Sequence, residues 1–169
     1  MNSLSPNEVS IVATDISKFM YQLHHIKFDY NEIFKTNNIG LDLTDFLDEL
    51  LNAHVSIEDK SFWKYDENKK KEHNTLVHGD LNSSNILLDD NNHIAAIIDF
   101  GFGGFGNPYF DISRIIGRCP TNFKSEIIKS YEQFSKEQLN HTILDNEIEI
   151  WKNIDNSYIN YMKKIGIYK

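Results

Sequence analysis

Residues 78–88 read HGDLNSSNILL. Within the stretch, His78, Asp80 and Asn85 fall at the spacing His-x-Asp-x-x-x-x-Asn, and the aliphatic run Ile86-Leu87-Leu88 follows at once. A second apolar run, Ile94 to Ile98, ends on Asp99, and Asp89-Asp90-Asn91-Asn92 stands between the two runs. Asp and Asn side chains bond to backbone groups two residues on and tolerate tight turns. Two short apolar runs around such a turn predict a small β-hairpin. Its first strand would start just after Asn85 and its second would end at Asp99, so both polar residues would lie at the open end of the hairpin.

The chain around this hairpin reads as helix. Ser5-Pro6-Asn7-Glu8 has a cap, a proline suited to the first helical position, and a glutamate that completes a capping box. Val9, Val12, Ile16, Phe19, Met20 and Leu23 then recur at spacings of three and four, predicting an amphipathic helix to about His24. A second helix is expected from about Leu43 to Ala53, followed by a polar linker over 64–74. Beyond Phe110, three helices are expected: a short one on Ile112, Ile115 and Ile116; one on Phe123, Ile127, Ile128, Tyr131 and Phe134; and one on Ile148, Trp151, Ile154, Tyr158, Tyr161 and Ile165. The helical spacing of Trp151, Tyr158 and Tyr161 assigns them to the core.

Asp80, Asn85 and Asp99 are the residues that suggest chemistry. Phosphoryl transfer from a nucleotide needs an acid to accept the attacking hydroxyl's proton, and hard oxygen ligands to hold Mg²⁺ against the phosphates. An Asp, an Asn five positions later and an Asp ending the next hairpin supply these parts.

Taken together, His78-Gly79-Asp80-Leu81-Asn82-Ser83-Ser84-Asn85 and Ile98-Asp99-Phe100-Gly101 resemble the catalytic loop and metal-binding segment of the protein-kinase-like superfamily. The HGDL form resembles the aminoglycoside phosphotransferase and choline-kinase-like branch. Gly106-Asn107-Pro108-Tyr109-Phe110-Asp111 is similar to that branch's Gly-Asp-Pro-x-x-Asp segment, with Asn107 where the family usually has Asp. Leu23-His24 matches a helix end common in the family. The resemblance implies a catalytic base at Asp80, Mg²⁺ and nucleotide (ATP or GTP) held by Asn85 and Asp99, and structural support of the loop by His78 and Asp111. It also implies a fold class: α+β, mainly helical, the C-terminal lobe of the protein-kinase-like fold with a small central β-hairpin.

The 77 residues before His78 show no Gly-rich hairpin and no Val-Ala-Ile-Lys-like strand. The N-terminal β-lobe is therefore expected to be absent. The chain is expected to form a single domain: 1–75 helical region and linker, 76–111 catalytic and metal-binding loops, 112–169 C-terminal helices. Half of the usual nucleotide clamp would be missing, and an N-lobe from another chain would be needed. The competing expectation is a truncated, catalytically inactive kinase-like module acting in binding or regulation. Gly101-Phe102-Gly103-Gly104-Phe105-Gly106 formally matches G-x-G-x-x-G, but Pro108 and further helices follow where a dinucleotide fold needs a long helix and a parallel strand. These glycines are read as a mobile segment beside the metal site, or as a flexible loop of no catalytic consequence.

Composition narrows the partners. A net charge of −8, from 25 acids and 17 bases, disfavours nucleic acid. An acidic surface suits a cationic acceptor, and equally suits solubility alone. The resemblance implies a small-molecule hydroxyl acceptor, aminoglycoside-like or an amino-alcohol. Asp145, Glu147 and Glu149 introduce the last helix and are the local candidates for substrate contact, although acids also stabilise a helix start. Arg114 and Arg118, one turn apart, are expected in surface salt bridges. A single cysteine, Cys119, excludes an internal disulfide, and no signal peptide or membrane-length apolar run is evident. A cytoplasmic protein is expected. The histidines show no metal-ligand spacing.

Overall fold

The computed structural model describes residues 4–27 and 75–167, apart from the side chains of residues 157 and 161. The helix expected over 43–53 and the linker over 64–74 lie outside the described residues. Helix α1 spans Pro6–His24. It opens with the expected capping box: the Ser5 N–H donates to Glu8 Oε2 at 2.7 Å, and the Glu8 N–H donates to Ser5 Oγ. The stripe of Val12, Ile16 and Met20 is fully buried, and each such side chain contributes about 1.5–3 kcal/mol by leaving water.

Strand β1 (Thr75–Val77) leads into the 78–85 loop, which ends in a single 3-10 turn at Ser83–Asn85. Strands β2 (Ile86–Leu88) and β3 (Ile94–Ile97) form the antiparallel hairpin, pairing Ile86 with Ile97 and Leu87 with Ala96. The turn works as its residues suggest. Asp89 Oδ1 accepts from the N–H groups of Asn91 and His93 at 2.9 and 2.8 Å, and Asn92 takes the left-handed conformation at φ 62°.

The glycine-rich segment, read from sequence as a loop, takes regular structure. Phe100–Phe102 form a 3-10 turn, and Gly104–Gly106 form strand β4, which pairs antiparallel with β1. Glycine serves close packing here. A Cβ on Gly106 would lie 3.0 Å from both Phe110 Cδ2 and Val77 Cγ2, and a backbone that approaches side chains this closely leaves no room for one of its own.

Three helices complete the lobe: α2 (Tyr109–Ile116), α3 (Thr121–Ser135) and α4 (His141–Lys164). Every residue of α2 from Phe110 to Ile116 is buried. Helix α3 packs along α1, where Ser17 Oγ donates to the Ile127 carbonyl at 3.0 Å. Helix α4 packs along α2, where Trp151 Nε1 donates to the Phe110 carbonyl at 3.2 Å. Asn140 caps α4, its Oδ1 accepting from the N–H groups of Thr142 and Ile143. This cap starts the helix earlier than the sequence suggests, so Asp145, Glu147 and Glu149 lie inside α4 rather than introducing it. Among the described side chains of α4, Ile154 is the last buried one; Tyr158 is 44% exposed and not a core residue, and the Tyr161 side chain lies outside the described residues. The C-terminal turns of α4 therefore extend past the core and become a wall beside the 78–85 loop. Among the described residues, no helix is long and apolar enough to cross a membrane.

Candidate active site

The 78–85 loop has few backbone partners of its own, so its shape depends on side chains from elsewhere. Asp111, fully buried on α2, accepts the His78 N–H on Oδ2 at 2.8 Å and the Gly79 N–H on Oδ1 at 2.9 Å. Two parallel N–H groups on one carboxylate fix the loop's entry. Gly79 adopts φ 81°, and a Cβ there would meet the Phe102 carbonyl oxygen at 2.1 Å. Only glycine permits both the left-handed backbone and this approach.

His78 carries the next link. Its Nε2 donates to the Ile98 carbonyl at 2.9 Å, and its Nδ1 accepts from the Asp80 N–H at 3.3 Å. Together these bonds select the Nε2–H tautomer. The ring lies 4.4 Å from that of Phe100, centroid to centroid. His78 thus ties the Asp80 loop to the residue just before Asp99. Asn85 makes the same connection from the other side: its carbonyl accepts the Ile98 N–H at 3.0 Å, and its Nδ2 donates to the Asp80 carbonyl at 3.0 Å. That last bond orients the amide, leaving Oδ1 unengaged among the described residues. Asp99 is exposed at φ 64°, a conformation that costs non-glycine residues free energy and concentrates at functional sites. Asp80, Asn85 and Asp99 therefore stand on two segments knitted by side-chain and main-chain bonds.

Asn85 Oδ1 and the Asp99 carboxylate are hard oxygen donors of the kind Mg²⁺ takes. No group of three His, Cys, Asp or Glu among the described residues could hold a metal. Two such donors would suffice for Mg²⁺, which keeps waters and takes its other ligands from phosphate.

The Asp80 carboxylate faces α2 and α4. Arg114 Nε donates to Asp80 Oδ1 at 2.8 Å, and Arg114 Nη1 donates to both oxygens of Asp155 on α4, at 2.8 and 3.0 Å. The guanidinium sits 4.5 Å from the ring centre of Trp151, one helical turn before Asp155. Arg118 Nε also donates to Asp155, at 3.0 Å. The sequence reading placed both arginines in surface salt bridges; Arg114 is buried, and it bridges the candidate catalytic carboxylate to the far helix. A cavity of about 590 Å³ opens beside this bridge, with Asp80, Arg114, Arg118, Asp155, Tyr158 and Lys163 among its lining residues. That volume suits a small molecule.

The other candidate substrate residues are elsewhere. Asp145 is exposed 3.8 Å from Lys124, Glu149 pairs with Lys152 at 3.3 Å, and neither these nor Glu147 lines the cavity. Asp155 is the carboxylate of α4 that lines the cavity among the described residues. The sequence does hold a signal for it: Asp155 follows Trp151 by four residues and so shares its helix face.

Behind Asp111 lies a further layer. His24 Nε2 lies 3.2 Å from Asp111 Oδ2, and His24 Nδ1 lies 3.0 Å from the Tyr131 hydroxyl. Burial, reinforced by the negative charge of Asp111, pushes the Tyr131 phenol above its ordinary range and keeps it a donor. Tyr131 can therefore donate to His24 Nδ1, which leaves Nε2–H to donate to Asp111.

A family model described as "Phosphotransferase enzyme family" matches residues 2–140. The chain belongs to that family. Solved structures of similar fold include an APH(2'')-IIa in ternary complex with streptomycin and ATP, with a TM-score of 0.55, 22% identity, and coverage of 95% of this chain and 60% of that one. Macrolide 2'-phosphotransferase MphH from Brachybacterium faecium gives a TM-score of 0.61 at 16% identity, covering 93% and 57%. Aminoglycoside phosphotransferase APH(3'')-Id from Streptomyces rimosus gives 0.61 at 14%, covering 91% and 64%. The chain thus spans less than two thirds of the length of each, and its mainly helical architecture corresponds to the C-terminal part of the aminoglycoside kinase fold.

Proposed function

We propose that this lobe binds ATP or GTP with Mg²⁺ and directs the γ-phosphoryl group to a hydroxyl of a small molecule. The observation that carries the reading is the knitting of the Asp80 and Asp99 segments through His78, Asn85 and Ile98. Asn85 and Asp99 would hold the ion, which when bound supplies charge neutralisation at the phosphates. The acceptor hydroxyl would lie in the cavity against Asp80. Its oxygen forms the new bond to phosphorus, the bond to the bridging oxygen of the diphosphate breaks, and the hydroxyl proton passes to the Asp80 carboxylate. Asp80 is held for this by Arg114, and its loop by Asp111. The phosphate-covering lysine and Gly-rich hairpin would have to be supplied from outside the described residues. Positioning and charge stabilisation are most of phosphoryl-transfer catalysis, so the clamp's completion would govern rate more than binding.

The test is titration calorimetry of Mg-ATP and Mg-GTP into this chain, with Asp99→Ala as control. Binding that disappears in the variant supports the metal site. Absence of binding at millimolar nucleotide would overturn nucleotide binding by this lobe on its own.

A further inference from the structure

The acceptor cavity has an unexpected charge. Among its described lining residues are three cations, Arg114, Arg118 and Lys163, and two carboxylates, Asp80 and Asp155. Both carboxylates are already engaged: Asp80 accepts from Arg114, and Asp155 accepts from Arg114 and Arg118. Lys163, exposed in the last turn of α4, makes no ion pair among the described residues. A polycationic guest would therefore find its carboxylates occupied and a lysine facing it. Like charges brought together across a partly desolvated surface oppose binding and set specificity. Tyr158 adds a flat, half-exposed ring to the same wall.

We propose that the acceptor taken by this cavity is a hydroxyl compound bearing an anionic group, a carboxylate or a phosphate, seated toward Arg118 and Lys163 with its hydroxyl toward Asp80. This rests on the phosphotransfer reading for the role of Asp80. It reverses the cationic acceptor that the acidic overall composition suggests: net charge is a property of the whole surface, and the charge of a pocket is set by the few residues that line it. Arg118 can turn one face of its guanidinium to the guest while remaining on Asp155, since its five donors exceed what one carboxylate accepts.

The test uses sugars of matched shape and different charge. Glucuronate, glucose 6-phosphate, glucose and glucosamine are titrated separately into the isotope-labelled chain, and amide and arginine side-chain NMR signals are followed. At least one anionic sugar should bind tenfold or more tightly than glucosamine, with shifts at Arg118 Nε–H, and which anion binds distinguishes carboxylate from phosphate. Lys163→Glu, at an exposed position, should reduce that preference at least tenfold. Tighter binding of glucosamine, binding of none of the four, or a preference unchanged in Lys163→Glu would overturn the proposal. Displacement of the anionic sugar by Mg-ATP would also overturn it, assigning the cations to nucleotide phosphates. Mg-ATP binding abolished by Asp99→Ala reads the phosphotransfer site separately, so either idea can fail alone.

Discussion

His24, the last residue of α1, places Nε2 3.2 Å from Oδ2 of Asp111, which holds the main chain of the 78–85 loop with the same carboxylate. The first helix thus takes part in shaping the site through a buried contact. Removing the carboxylate should be costly. Asp111→Ala leaves two buried N–H groups unpaired, at about 1–3 kcal/mol each, so a loss of about 3–5 kcal/mol is expected in urea unfolding. Asp111→Asn keeps one acceptor oxygen and should lose less. A stability for Asp111→Ala within about 1 kcal/mol of the parent, a spread typical of surface changes, would show that the loop is held by something else.

Gly79 and Gly101 offer a contrast within one segment. A Cβ at Gly79 meets the Phe102 carbonyl at 2.1 Å on a left-handed backbone, whereas a Cβ at Gly101 meets only Asp99 Oδ1, at 3.3 Å. Gly79→Ala should cost about 2 kcal/mol or more, and Gly101→Ala less than half of that. Thermal melts of the two variants side by side check the ordering.

Arg114 bridges Asp80 and Asp155 with two different nitrogens. Arg114→Met leaves the partly buried Asp80 carboxylate without its cation and Asp155 with Arg118 alone, a loss of about 1–3 kcal/mol once their partial exposure is allowed for. Arg114→Lys should not restore it, because a single ammonium cannot reproduce a rigid fork spanning two acids. Equal melting temperatures for the lysine variant and the parent would argue against the bridge.

Burial pushes the Cys119 thiol up to about 11. The charged form is the thiolate, so the folded chain keeps its proton where the unfolded chain loses it. Unfolding releases that proton between the ordinary thiol range and about pH 11, and the contribution of Cys119 to stability declines as pH rises through this window. Alkylation by iodoacetamide should be slow at pH 8 in the folded protein and rise about tenfold per pH unit up to that range, since the thiolate is the nucleophile. A plateau in rate beginning near pH 9 would contradict the shift.

Much of this is legible in the sequence. The capping box at Ser5 and Glu8, the stripe on α1 and the Asp89 turn are local, and local chemistry reads directly from sequence. The His78–Asn85 spacing pointed to the loop because its residues act through short-range geometry. The pairing of β1 with β4 was missed because strands of three residues, one of them two-thirds glycine, carry no periodicity. Asp155 was missed because its importance depends on how α4 is rotated against α2, which Trp151 settles only once packed. Arg114 looked like a surface cation for the same reason: nothing in its neighbours in sequence announces two acids arriving from residues 80 and 155.

The β1–β4 pairing has a consequence of its own. Val77 faces Gly104 across it, so Asp80, Asn85 and Asp99 all hang within one loop of chain whose neck those two residues close. Unzipping the neck would scatter all three at once. The amides of Leu76 and Phe105 should therefore exchange with solvent together with those of the hairpin strands, as one cooperative unit. The site would then be lost or kept whole, never piecemeal, and hydrogen exchange at two residues outside it would report its survival.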